Sequence, residues 1–127
     1  SFGLLDMAYY TKKDAFDEDI IAFEKKAWQK AIITEQLPDT CMTVQFSHIM
    51  AGGYAAGYYS YKWAEVLDAD AFAVFKKHGI FDQATAQRFR DHILSKGGTE
   101  NPMTLYKNFK GSEPTIDALL KRNGIKR

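Results

Sequence analysis

The longest stretch with helical spacing, Ala55 to His78, stands between glycines, and this punctuation governs what the chain can fold into. Gly52, Gly53 and Gly57 crowd its entry, where a residue without a Cβ lets another backbone approach closely. Gly79 follows as a stop, because glycine takes the left-handed conformation cheaply. The same grammar recurs along the chain. Phe2 to Tyr10 reads as a short apolar helix. Asp14 to Ile33 brings Phe16, Ile20, Phe23, Ala27 and Ile32 round at helical intervals. Asp17, Glu18 and Asp19 fall in its first turns, where they suit the positive end of the helix dipole. Leu37-Pro38-Asp39 punctuates its end.

Further on, Asp82 is placed to cap a helix from Gln83 to Lys96, which Gly97-Gly98 ends. Asn101-Pro102 opens another, Pro102 to Lys110. Pro114 opens the last, with Ile116, Leu119 and Leu120 inward; Gly124 ends it, and Ile125 folds back on Leu120 as in a Schellman motif. Thr40 to Met50 is rich in branched and aromatic residues and reads as helix or irregular structure. No sustained alternation of apolar and polar residues marks a strand. The expected fold is all-α, with residues 1–127 a single helical domain.

Composition narrows the function classes. A length of 127 residues is enough for a real core. The 17 basic and 16 acidic side chains leave a net charge of +1, and the basic residues are dispersed, with no run longer than Lys12-Lys13 or Lys76-Lys77. That argues against a nucleic-acid surface built on general basicity. No apolar run approaches the ~18 residues of a membrane span. A single cysteine, Cys41, makes no internal disulfide and has no nucleophile signature around it, so it reads as an inert thiol. The acidic cluster at 17–19 reads as a solvated, dipole-matched helix start rather than a metal site.

Chemistry concentrates in Phe46 to Asp70, FSHIMAGGYAAGYYSYKWAEVLDAD. Tyr58 and Tyr61 are three apart and Glu65 follows four later, so on a helix they share a face, while Tyr59 lies on another. Phenol hydroxyls bunched in this way, with Tyr54 nearby, can hold a carbonyl oxygen or a developing oxyanion. The plainer alternative is an amphipathic helix whose aromatics fill a core. Taken alone, His48 is a satisfied structural histidine; His78 and His92 are read so too. Trp63, Phe72 and Phe75 are core by default.

The run FSHIMAGGYAAGYYSYKWAEV resembles the C-terminal part of the thimet-oligopeptidase-like zinc metallopeptidases, the family of oligopeptidase A and dipeptidyl carboxypeptidase. The likeness extends through SFGLLDMAYYT (1–11), DADAF (68–72), GIFD (79–82), RFRDHILSKGGTENPM (88–103) and PTIDALLKRNG (114–124), nearly the whole chain. It departs at FKGSEP, where Ser112 stands in place of the family's arginine, and at Met50, where a bulky aromatic is common. Because family chains are several times longer, the resemblance implies a C-terminal fragment of a zincin-type catalytic domain, and a start at Ser1 without methionine fits an excised piece. The family's zinc site is a helical H-E-x-x-H plus a later glutamate. No two of the histidines here stand four residues apart, so the expectation is zinc in the parent enzyme and none bound by this fragment.

The resemblance implies roles residue by residue. Peptide hydrolysis on zinc passes through a tetrahedral intermediate, and a neutral donor such as a tyrosine hydroxyl can stabilise its negative oxygen. Tyr61 would be that donor, with His48 hydrogen-bonding the substrate or intermediate. Tyr54 and Tyr58 would contact carbonyls of the bound peptide, and the loop Ala51 to Gly57, with Gly52 and Gly53, would form a flexible wall over the cleft.

The expected function is therefore the substrate-binding, transition-state-stabilising part of an oligopeptidase or peptidyl-dipeptidase acting on short peptides. The fragment by itself is expected to be inactive. The alternatives are a stand-alone helical module that binds peptides without cleaving them, and a purely structural helical domain. Expected partners are peptide substrates and the rest of the parent domain, with possible self-association, and neither nucleic acid nor membrane. The expected compartment is the cytoplasm, with periplasm or export left open.

Overall fold

In the computed structural model, which describes residues 1–125, every regular element is helical. Helix α1 is Phe2–Tyr10, α2 is Ile20–Trp28 and α3 is the short Ser47–Met50, preceded by a 3₁₀ turn at Thr43–Gln45. Then come α4 (Ser60–His78), α5 (Gln83–Phe89, continued by a π-helical turn Arg90–Leu94), α6 (Pro102–Lys110) and α7 (Asp117–Arg122). The all-α expectation holds, with no strand among the described residues.

The capping chemistry explains where the bounds match and where they move. Asn101 caps α6, its side chain accepting from the Met103 N–H at 2.9 Å, and Gly111 closes it at φ +92°. At the end of α7, Gly124 N–H bonds Lys121 O at 3.2 Å and Ile125 N–H bonds Leu120 O at 2.9 Å, the expected Schellman pair. Helix α2 is shorter than Asp14–Ile33. Asp19 is not inside its first turn but caps it, with extended backbone and a 2.8 Å bond from the Ala22 N–H. Glu18 turns away to pair with Lys12 at 2.6 Å. Past Trp28 a tight turn from Ala31 N–H to Trp28 O takes over. Helix α5 gives way to the π turn, in which Ser95 N–H bonds Arg90 O at 2.8 Å. Helix α7 begins at Asp117 rather than Pro114.

The chain divides into two compact units, Ser1–Tyr61 and Lys62–Arg127. The core of the first is Leu5, Trp28, Phe46 and Ile49, flanked by Tyr9, Phe23, Ala27, Met42 and Tyr58. A buried carboxylate, Glu24, organises its 36–43 segment. It accepts from Gln36 Nε2 (2.9 Å), Met42 N (3.0 Å), Thr43 N (2.8 Å) and Thr43 Oγ1 (2.7 Å), and the Cys41 thiol donates to it at 3.6 Å. Burial works against its charge, but these donors outweigh burial and hold it below the ordinary carboxylate range.

In the second unit Val66, Ala69 and Leu119 form one core cluster, and Phe75, Phe89 and Phe109 meet ring to ring. Asp70 of α4, buried, accepts from Tyr106 Oη and Lys110 Nζ of α6, each at 2.6 Å. Trp63 and Phe72, expected in the core, are exposed. Phe72 instead offers its ring to the Lys76 ammonium, 5.0 Å from the centroid.

Candidate functional site

The histidine and tyrosines singled out from the sequence all belong to the first unit, and their side chains converge there. The His48 ring lies 5.8 Å from both Tyr54 and Tyr58, centroid to centroid. Tyr58 is 5.1 Å from Tyr61 and 6.3 Å from Tyr54. Tyr54 and Tyr61 stack at 5.6 Å with 19° between their planes. His48, Tyr54 and Tyr61 are exposed, so the cluster presents a polar aromatic surface. Tyr58 has a second job: its ring also packs on Phe46 (5.0 Å) and Phe2 (6.0 Å), joining the wall to the core. The aromatic run thus divides between an exposed cluster and the core, with Tyr58 touching both.

Local backbone chemistry sets this arrangement. Helix α4 starts at Ser60, not near Ala55, and residues 55–59 form consecutive turns. Tyr58 therefore precedes the helix, and a turn rather than a shared helical face brings it to Tyr61. Helix geometry is barred upstream by Gly53 at φ +80° and Ala56 at φ +55°. The N–H groups of Ala56 and Tyr58 point instead to the two carboxylate oxygens of Asp6, each at 2.9 Å. Gly52 lies against α3: a Cβ there would stand 2.9 Å from His48 Cα and 3.1 Å from its carbonyl oxygen. Tyr54 N–H bonds that same His48 carbonyl at 3.0 Å.

The hydrogen bond to Tyr54 raises the Tyr61 pKa above the ordinary tyrosine value, assisted by partial desolvation and the neighbouring phenols. The Tyr61 phenol therefore stays neutral at physiological pH. Tyr59 points elsewhere, more than half exposed, and makes none of the ring contacts of the wall. Glu65 spends its carboxylate on Lys62 at 2.8 Å.

Sequence reasoning passed over Asp6 and Tyr10. The signal for Asp6 was a lone acid in an apolar helix, FGLLDMAYY, whose neighbour Leu5 is core. Tyr10 donates its hydroxyl to the Ile49 carbonyl and so ties α1 to α3.

The sequence model of peptidase family M3 matches residues 1–125. The chain belongs to peptidase family M3. It is 61% identical over 125 residues to oligopeptidase A of Haemophilus influenzae, covering 98% of this chain and 18% of that protein. It is 63% identical over 81 residues to oligopeptidase A of Escherichia coli, 64% of this chain and 12% of that one. Against dipeptidyl carboxypeptidase of Salmonella typhimurium it is 38% identical over 131 residues, 98% of this chain and 19% of that one. This M3 chain thus spans less than a fifth of the length of these curated relatives.

Zinc is the metal an M3 resemblance implies. Among the described residues no group of three or more His, Cys, Asp or Glu side chains is placed to hold a metal ion. Also among the described residues, no helix is long and apolar enough to cross a membrane.

Proposed function

We propose that this M3 chain supplies the substrate-side wall of the active site of an oligopeptidase or peptidyl-dipeptidase, with zinc held by residues outside it. The observation that carries the reading is the convergence of the His48, Tyr54 and Tyr61 rings at the exposed face of a cluster backed by the half-buried Tyr58. Tyr61 donates its hydroxyl hydrogen to the oxygen that becomes negative as the scissile carbonyl turns tetrahedral. A neutral phenol suits this role because it stabilises charge in the transition state without binding the ground-state carbonyl strongly. Tyr54, stacked on Tyr61, orients that hydroxyl and, with Tyr58, meets backbone carbonyls of the bound peptide. His48 hydrogen-bonds the substrate or the intermediate. Gly52 and Gly53 shape the loop wall over the cleft. Supporting the substrate class, the relatives are named oligopeptidase A and dipeptidyl carboxypeptidase. Residues 1–127 are then part of one catalytic domain, its partners short peptides and the remainder of that domain, acting in the cytoplasm.

The test is Tyr61→Phe in the full-length, zinc-loaded protein, which deletes the hydroxyl and keeps the ring. kcat should fall on the order of 10²–10³-fold, as for other single oxyanion donors. KM should change little, since the lost interaction belongs to the transition state. Tyr59→Phe is the control and should be nearly silent. A Tyr61→Phe enzyme with near-normal kcat, or with mainly a raised KM, moves the donor role to Tyr54 or His48.

A further inference from the structure

We propose that Asp6 is a positioning residue of the site: its carboxylate, reaching across from α1, holds the tyrosine loop in the shape that aims Tyr58 and Tyr61. This inference rests on the reading of Tyr61 as the oxyanion donor. Asp6 is completely buried, yet none of the ion pairs among the described residues includes it. A buried carboxylate without a cation needs strong donors, and here each oxygen takes one backbone N–H, Oδ1 from Ala56 and Oδ2 from Tyr58, both at 2.9 Å. Those amides are 50 and 52 residues away in sequence, so the bonds are a tertiary clamp and not a local cap.

The clamp bears on a segment that would not hold its shape unaided. Ala56 sits at φ +55°, a left-handed conformation that a residue with a Cβ seldom adopts unless its surroundings impose it. Turning at Ala56 lets two amides, two residues apart, face the same carboxylate, an anion-binding concavity closed by a side chain of the same protein. Everything catalytic lies next to this fixed point. Upstream, Tyr54 is tied to His48 through the 3.0 Å bond from its N–H. Downstream, the Tyr61 N–H bonds the Tyr58 carbonyl at 3.4 Å, so Tyr61 leaves from a residue whose own amide is clamped. With one end of the loop fixed on α3 and the other on Asp6, the Tyr54 and Tyr61 rings are left stacked.

Asp6→Asn in the full-length, zinc-loaded protein is the test. It keeps the shape but replaces one acceptor oxygen by an NH₂ group, which faces a backbone N–H it cannot bond. Two readouts are taken: amide hydrogen exchange over residues 51–59, and kcat and KM on a fluorogenic peptide. The expected result is faster exchange in that loop with kcat down on the order of 10–100-fold, the cost of a small misplacement of a catalytic group. KM should stay within about threefold. Asp6→Glu, which restores both acceptors on a longer arm, should recover part of the kcat.

Asp70→Asn serves as the comparison, because it also removes a buried carboxylate with two donors but lies in the second unit. It should leave kcat unchanged at a temperature where the protein is folded. Unchanged exchange over 51–59 in Asp6→Asn overturns the clamp. Faster exchange with normal kcat, while Tyr61→Phe is crippled, overturns the positioning role. An equal loss of kcat in Asp70→Asn overturns it too, since general destabilisation would then explain both. If Tyr61→Phe proves silent, it is the donor reading that fails, and the exchange arm still decides whether Asp6 holds the loop.

Discussion

At the residue scale, the loop between α3 and α4 depends on two adjacent glycines for different reasons. Gly52 is required by space. An added Cβ would meet the backbone of His48 at 2.9 Å, and backbone cannot swing aside as a side chain can. Gly53 is required by conformation: it has open space around it but sits at φ +80°. Gly52→Ala should therefore displace α3 from the loop, at a cost of about 1–3 kcal/mol for overpacking. Gly53→Ala should cost about 1–2 kcal/mol for a left-handed alanine and leave α3 in place. Amide exchange separates them. Residues 47–54 should open in Gly52→Ala, whereas Gly53→Ala should loosen only the loop. Both variants opening α3 alike would contradict the steric account. Tyr61 adds a pH statement. Its pKa lies above the usual 10.0, so the donor form persists as pH rises past that value. The alkaline limb of kcat should not report Tyr61 below about pH 10.

At the element scale, each unit is braced by a buried carboxylate that gathers donors. Glu24 of α2 holds the 36–43 segment, and Asp70 of α4 holds α6 through Tyr106 and Lys110. For both groups burial opposes the charge and the hydrogen bonds outweigh it, Lys110 and Tyr106 first among them for Asp70. Tyr106, pushed in the opposite direction by burial and by Asp70, stays protonated and donating. The folded pKa values are depressed, so the stability they contribute is present above the ordinary values of 4.5 and 3.8. It is lost as pH falls below them through the folded values. Acid unfolding followed by tryptophan fluorescence should show this loss at the α2 brace, where Trp28 is buried. Glu24→Gln should cost about 1–3 kcal/mol at neutral pH, because backbone donors lose their acceptors. The variant should also be less acid-sensitive than the parent sequence. An unaltered acid profile would mean that Glu24 is not what titrates.

At the scale of the whole molecule, the surface carries apolar side chains with nothing over them. Ile33 is 98% exposed, Phe81 90% and Val44 77%. Given the span of this chain against its relatives, we expect that surface to be covered in the parent protein and to drive self-association when the 127-residue chain is made alone. Light scattering should show species larger than a monomer. After dialysis the chain should hold no stoichiometric zinc and turn over no fluorogenic peptide. Stoichiometric zinc with turnover would place a metal site among the residues described here. An H-E-x-x-H sequence encoded upstream of Ser1 would favour the peptidase reading over a non-catalytic peptide-binding module.

Local chemistry was legible in the sequence because its causes are local. The caps at Asp82 and Asn101, the stop at Gly79 and the Schellman turn at Gly124 each depend on residues within one helical turn, and each is where the residue types place it. The tyrosine run was legible as a cluster for the same reason, since Tyr54, Tyr58 and Tyr61 are neighbours in sequence. The start of α4 was not legible. Helical spacing extends back to Ala55, and the residue types at 56–59 do not reveal that Ala56 takes a left-handed conformation or that the Ala56 and Tyr58 amides bond a carboxylate about 50 residues upstream. The roles of Asp6, Glu24 and Asp70 were hidden in the same way. A charged residue inside an amphipathic pattern reads as solvated until the fold brings it donors from another element. Spacing and capping therefore determined which segments are helical, while the tertiary structure decided which distant backbone amides each buried carboxylate meets, those of Ala56 and Tyr58 just before α4 among them.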